Sequence, residues 1–116
     1  MFSDHVRTRL GHVVEYSARI NAYTEGMDFG AFRADELRVL AVERCLQNIT
    51  EAVIQIGENE VERVMPGIPF KLIRGMGNRL RHEYKGVDAR AVYDTVHAEL
   101  PELTQAAVAA LARHAD

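Results

Sequence analysis

The chain has 116 residues, of which 47% are hydrophobic and 27% are charged, so it can bury one core but is short for two ordinary domains. We predict a single helical domain over residues 1–116. The net charge of -3 argues against a protein that coats nucleic acid over its whole surface, since such binding neutralises many phosphates. Charges interrupt every hydrophobic run, which excludes a membrane span. The single cysteine, Cys45, and the lack of a leader-like start predict a cytoplasmic protein.

Apolar residues in the first half of the chain recur at the spacing of helix faces. The first predicted helix runs from Val6 to about Tyr23, and a loop through residues 28–30 follows it. The second predicted helix runs from about Asp35 to Gly57. It carries a seam at alternating steps of three and four, formed by Val39, Val42, Leu46, Ile49, Val53 and Ile56. A seam of this length packs against neighbouring helices or against a second subunit.

The second half of the chain predicts two or three more helices. A turn at residues 65–67 precedes a third helix, which has Pro69 in its first turn and ends at Gly86. Its predicted apolar stripe consists of Ile68, Leu72, Ile73, Met76 and Leu80. Asp88 caps a fourth helix, which Pro101 kinks or divides. Since no convincing apolar–polar alternation occurs, we predict an all-α bundle of four or five helices that dimerises through its long helices.

The segment 68–88 concentrates side chains that can carry chemistry. Between residues 71 and 85, one acid, Glu83, stands among five bases, which are Lys71, Arg74, Arg79, Arg81 and Lys85. Asn78 and His82 are four residues apart and therefore share a helix face. An imidazole can accept or donate a proton near neutral pH, and guanidinium groups match phosphate oxygens. The set suits metal-independent cleavage of RNA, and the competing interpretation is a solvated helix face with a surface histidine.

Other kinds of site find little support in the sequence. His82 and Glu83 begin like a zinc-protease helix, but the second histidine would fall at Gly86. No cysteines and histidines have structural zinc spacing, so we expect neither a metal nor a cofactor. We assign the remaining histidines and tyrosines to surface or packing positions, namely His5, His12, His97, His114, Tyr16, Tyr23 and Tyr93. Glu51 lies within the long seam and, if buried, would need an arginine of the third helix as its partner.

Several short segments together resemble the HepT-like branch of the HEPN family. They are Met27-Asp-Phe-Gly-Ala-Phe32, Glu51-Ala52, Ile68-Pro-Phe70, Gly75-Met-Gly-Asn-Arg-Leu-Arg-His-Glu-Tyr84, Gly86-Val-Asp88 and Leu100-Pro-Glu-Leu103. The family motif is an arginine, four to six further residues and a histidine, with a tyrosine two places beyond the histidine. The resemblance covers nearly the whole chain.

The resemblance implies a helical homodimer in which two motifs meet to form a metal-independent ribonuclease site. It implies the toxin of a bacterial toxin–antitoxin pair, and its antitoxin is usually a minimal nucleotidyltransferase that can attach AMP to the motif tyrosine. On this resemblance His82 is the catalytic histidine and Tyr84 is the modification site. Asn78 and Arg81 complete the predicted catalytic set, and the predicted RNA-binding residues are Arg74, Arg79 and Lys85.

The motif departs from the family pattern at its arginine. Counting back four intervening residues from His82 leads to Gly77, a poor helix former that costs about 1 kcal/mol inside a helix. Arg81 lies one turn further on and is the expected substitute, ahead of Arg74 and Arg79. The alternative function is a catalytically degenerate subunit that binds RNA or nucleotide and partners a minimal nucleotidyltransferase.

Overall fold

A computed structural model describes residues 3–82 and 88–113. Seven helices lie in these ranges, namely α1 (Asp4–Thr24), α2 (Phe29–Ala34), α3 (Glu36–Ile56), α4 (Glu58–Val64), α5 (Phe70–His82), α6 (Ala89–Ala98) and α7 (Leu100–Arg113). Five of them have ten or more residues. The predicted all-α bundle is therefore confirmed, with two short helices added.

The long helices begin and end where the sequence supplies the required caps. The Ser3 hydroxyl accepts a hydrogen bond from Val6 N at 3.2 Å, which starts α1. The Asp35 carboxylate accepts one from Arg38 N at 3.1 Å, which starts α3. Such caps satisfy amide groups that have no partner within the helix. Gly57 ends α3 with a positive φ of 91°, a backbone conformation that suits glycine.

Helix α3 lies at the centre of the bundle. It packs against α1 on one side and α5 on another, and these are the two most extensive helix pairings. Hydrogen bonds from His5 to Gln55 O and from Arg38 to Tyr23 O show that α1 runs antiparallel to α3. Five of the six seam residues are buried and the sixth, Val39, packs against the core from its edge. The seam residues of α3 therefore pack within the core of one protomer.

Three predictions about local structure need correction or refinement. The loop predicted at residues 28–30 is wrong, because the Asp28 carboxylate caps a helical turn at Ala31 N, 2.8 Å away, and Phe32 is buried. Leu72 is 72% exposed, so its assignment to the apolar stripe of the third helix is wrong. Pro101 divides its helix, since α6 ends at Ala98 and Pro101 is the second residue of α7, where its missing amide hydrogen costs nothing.

The lengths of the helices and the position of Cys45 can be compared with the predictions from composition. Every helix within residues 3–82 and 88–113 falls short of the length or hydrophobicity that a membrane span requires. Cys45 is buried, and its burial raises the pKa of the thiol despite the opposing charge of Arg19. A buried thiol of this kind behaves as a small hydrophobic side chain.

Candidate functional site

Helix α5 lies directly against α3 at Gly77. A Cβ atom built on Gly77 would lie 2.8 Å from Thr50 Oγ1 and 3.3 Å from Ile54 Cδ1. Gly77 is buried, and Thr50 is fully buried. The glycine that weakens the helix therefore lets the two helices touch. The position where the family motif has arginine faces α3 here, so a side chain at residue 77 would first have to pass Thr50.

The guanidinium of Arg81 lies one turn beyond Gly77 and bridges two helices. Its Nη1 donates to Glu51 Oε2 on α3 at 3.1 Å, and its Nη2 donates to Asn78 Oδ1 on α5. Gln55 Nε2 donates to the other Glu51 oxygen at 3.0 Å. The conjectured pairing of Glu51 with an arginine of the motif helix thus occurs, although Glu51 is half exposed rather than buried. Arg81 is consequently held in one orientation at the edge of the α3–α5 interface.

The imidazole of His82 is exposed at the last residue of α5. It follows Asn78 by four residues and Arg79 by three, so its position lies between theirs on the helix surface. Arg79 is also exposed but lies on the opposite side of α5 from Arg81, because the two are only two residues apart. His82 therefore lies between two guanidinium groups. That of Arg81 is bound to Glu51, and that of Arg79 makes no ion pair within the described part of the chain.

The other predicted phosphate-binding residues are divided between described and undescribed parts of the chain. Arg74 is exposed, its Cζ lies 5.8 Å from the centre of the Phe70 ring, and it precedes Arg81 by two helical turns. Lys71 is exposed one turn earlier. Lys85 and Tyr84 lie outside the described residues. The basic set that α5 presents thus extends along its outer surface from Lys71 to His82.

Two features that border the site could not be predicted from the sequence. The side chain of Gln47 on α3 donates from Nε2 to Leu80 O at 3.1 Å, which ties α3 to the last turns of α5. A polar groove lies between α1 and α3, and Glu51 lines it together with Arg9, His12 and Asn48. No periodic pattern signals either feature, since each depends on residues far apart in the chain. Within residues 3–82 and 88–113, no three histidine, cysteine or acidic residues are grouped to hold a metal ion.

Comparison with known proteins decides the family. The sequence matches the family profile described as "Ribonuclease HepT-like" over residues 13–110, a range that contains α3, α5 and the exposed His82. The chain belongs to the HepT-like ribonuclease family. This result confirms the resemblance drawn from the sequence motifs.

Two relatives show how far the HepT-like similarity extends. "Putative RNase MJ1216" from Methanocaldococcus jannaschii is 36% identical over 98 residues, which are 84% of this chain and 80% of the relative. "Probable ribonuclease HepT" from Thermococcus cleftensis is 34% identical over 94 residues, covering 81% of this chain and 84% of the relative. No solved structure matches the chain significantly. The relatives are thus similar along most of their lengths, and their names refer to ribonuclease activity.

Gly77 stands where the HepT-like resemblance predicts the motif arginine. The glycine instead lets α5 approach α3, and Arg81 pairs with Glu51 from the next turn. The guanidinium is therefore present near the motif but is attached to a different residue. It is also partly neutralised by a carboxylate, which weakens its attraction for a phosphate.

Proposed function

We propose that this chain is a ribonuclease whose catalytic group is His82. The observation that carries the proposal is the exposed imidazole at the end of α5, placed between Asn78 and Arg79 and one residue after the fixed guanidinium of Arg81. Family membership and the names of the relatives support the same activity.

The proposed reaction is attack of the RNA 2′-hydroxyl on the adjacent phosphorus. A base takes the 2′-hydroxyl proton, the new oxygen–phosphorus bond forms, and an acid protonates the 5′-oxygen as its bond to phosphorus breaks. The products are a 2′,3′-cyclic phosphate and a 5′-hydroxyl. Two groups are needed, one protonated and one not. We propose that the His82 side chains of two protomers supply them across a homodimer cleft, which the long helices build.

The neighbouring polar groups have distinct proposed roles. Asn78 orients Arg81 through its side-chain oxygen, and Arg81 stabilises charge on the phosphate in the transition state. Arg74, Arg79 and Lys85 bind phosphates along the RNA. This assignment predicts that Arg81→Ala lowers the cleavage rate more than the affinity, whereas Arg79→Ala lowers the affinity more than the rate.

We further propose that the protein is the toxin of a toxin–antitoxin pair. Its antitoxin is a minimal nucleotidyltransferase that adds AMP to Tyr84, two residues beyond His82. An adenylate there would bring negative charge and bulk to the catalytic cleft and repel the substrate phosphate. Incubating the chain with such an enzyme and ATP should add one AMP to the wild type and none to Tyr84→Phe, as seen by intact-mass spectrometry.

A cleavage assay tests the ribonuclease proposal. Single-stranded RNA should be cut by the wild type in the presence of EDTA, and His82→Ala should lose at least about 100-fold in rate, the usual contribution of acid–base catalysis. His97→Ala is the matched control, because His97 bonds to Tyr93 O in α6 and is not part of the α5 set. Equal rates for wild type and His82→Ala would refute the proposal.

A binding subunit without catalytic activity is the second candidate function. It is favoured by the pairing of Arg81 with Glu51 and by the absence of an arginine at residue 77. Such a subunit would bind a minimal nucleotidyltransferase tightly and would leave RNA intact at every protein concentration. The same assay therefore separates the two functions.

A further inference from the structure

A groove lies between α1 and α3 and is lined mostly by polar side chains. It has a volume of about 170 Å³, with Arg9, His12 and Tyr16 along the α1 side and Asn48, Glu51 and Gln55 along the α3 side. Each set follows helical spacing, so both line the groove as continuous ridges. Small, buried Ala52 lies between them. The groove is thus narrow, polar and partly aromatic.

Two hydrogen-bonding side chains in the groove have no partner among the residues that the structure describes. The guanidinium of Arg9 makes no hydrogen bond within the described residues, and its Nε is buried, so a ligand in the groove would bind its outer Nη donors. The side-chain amide of Asn48 also makes no hydrogen bond within residues 3–82 and 88–113. An amide offers both a donor and an acceptor, the combination that reads the edges of nucleobases.

The charge balance of the groove favours an anionic ligand. Its one carboxylate, Glu51, already accepts hydrogen bonds from Arg81 and Gln55. Arg9 therefore contributes a positive charge that no carboxylate in the groove neutralises by an ion pair within the described residues. The outer N–H groups of a guanidinium match the oxygens of a phosphate in geometry and charge.

Glu51 also connects the groove with the candidate catalytic site. It lines the groove and, through the same carboxylate, contacts Arg81 next to His82. We propose that the α1–α3 groove binds one nucleotide of a single-stranded RNA next to the scissile position. Arg9 contacts its phosphate, Asn48 reads its base, and the rings of His12 and Tyr16 form the apolar wall. This inference rests on the ribonuclease function proposed above.

Binding of an RNA that cannot be cleaved tests the groove without requiring catalysis. The probe is a fluorescent single-stranded RNA in which fluorine replaces every 2′-hydroxyl, and the readout is fluorescence anisotropy across a salt series. Arg9→Gln and Asn48→Ala should each weaken binding about ten-fold, as expected for loss of a well-placed hydrogen bond. Arg9→Gln should also reduce the slope of log K against log salt by about 0.7, the value for one phosphate contact on a single strand.

Arg33→Gln is the matched control for the lost charge. Arg33 is exposed on α2, outside the groove, and its loss should change affinity less than about two-fold because an isolated surface charge contributes little. If Arg9→Gln fails to fold, Asn48→Ala still tests the groove, because alanine favours the helix and this variant should fold. Thermal melts of all three variants verify that they are folded.

The possible results distinguish failure of the groove site from failure of the ribonuclease proposal. Wild-type affinity in both groove variants would overturn the groove site, as would failure of the wild type to bind the probe. A shift between monomer and dimer at unchanged RNA affinity would also overturn it and would assign the groove to a subunit interface. If the wild type binds the probe through the groove but does not cut unmodified RNA, the groove site stands and the ribonuclease proposal fails.

Discussion

Replacement of Gly77 by alanine measures how much the close approach of α5 to α3 contributes. The new Cβ would lie 2.8 Å from Thr50 Oγ1 and 3.0 Å from Thr50 Cβ. Both distances are shorter than van der Waals contact. Thr50 is fully buried, and its hydroxyl donates to Gln47 O at 2.9 Å. Neither atom belongs to a flexible side-chain end, so the helices must move apart to accommodate the methyl group.

Two opposing terms set the magnitude of this effect. Removing a helix glycine stabilises by about 1 kcal/mol, whereas overpacking a close helix contact costs about 1–3 kcal/mol. Gly77→Ala should therefore range from neutral to about 2 kcal/mol destabilising. Gly75→Ala is the matched control, because its Cβ would meet only Arg79 Nη1 at 3.8 Å. That variant should gain up to about 1 kcal/mol.

The assay is thermal and urea unfolding followed by circular dichroism. The two variants should differ by about 1–3 kcal/mol, which corresponds to roughly 4–12 °C in Tm for a domain of this size. A double-mutant cycle with Thr50→Ala should show that the two changes are coupled, because Thr50→Ala removes the nearer of the contacting atoms. If Gly77→Ala proves as stable as Gly75→Ala, the interpretation of Gly77 as a helix-contact residue is wrong.

The same geometry changes how restoration of the motif arginine should be interpreted. Gly77→Arg places a long side chain against Thr50, so the variant should be less stable than the wild type. Its cleavage rate is best measured in the Thr50→Ala background and below the Tm of the variant. A gain in rate there would show that an arginine at residue 77 acts together with Arg81 rather than being replaced by it.

Three further predictions concern residues other than Gly77. Glu51→Gln frees Arg81 and removes a negative charge, so RNA affinity should rise while the cleavage rate at saturating RNA falls; a rise in both would argue against positioning by Glu51. Asp35→Ala removes the cap at Arg38 N and should cost about 1 kcal/mol in urea unfolding, whereas no loss would contradict the capping role. Because burial raises the pKa of Cys45, the folded protein should react slowly with Ellman's reagent at pH 8 and quickly in urea. Its stability should fall as pH rises above the pKa of the unfolded thiol, and Cys45→Ala should remove that dependence.

The sequence was most informative where structure depends on neighbours along the chain. The stripe of Val6, Leu10, Val13 and Ile20 on α1 is fully inside the core, as helical spacing predicts. Asp35, Gly57 and Asp88 bound helices as their residue types require. The short helices α2 and α4 were missed because each has fewer than eight residues, too few for a hydrophobic period to be recognised.

The family motif also indicated which residue types form the candidate site, but it did not indicate their partners. His82 and Asn78 could be assigned to one helix face from their spacing alone. Arg81 and Glu51 are thirty positions apart, and no periodic pattern relates residues at that distance. The sequence predicted that Glu51, if buried, would pair with an arginine of the third helix, and only the packing of α5 on α3 decides that this arginine is Arg81.

Helical periodicity and the local caps thus determine from the sequence alone that this chain forms an all-α bundle and that its basic residues gather on one helix. Tertiary packing decides what Gly77 does, which arginine Glu51 binds, and that Arg9 and Asn48 face each other across a groove. The physical reason is that a hydrophobic period depends on residues a few positions apart. Contacts between helices depend on side-chain volumes and charges that meet only after the core has formed.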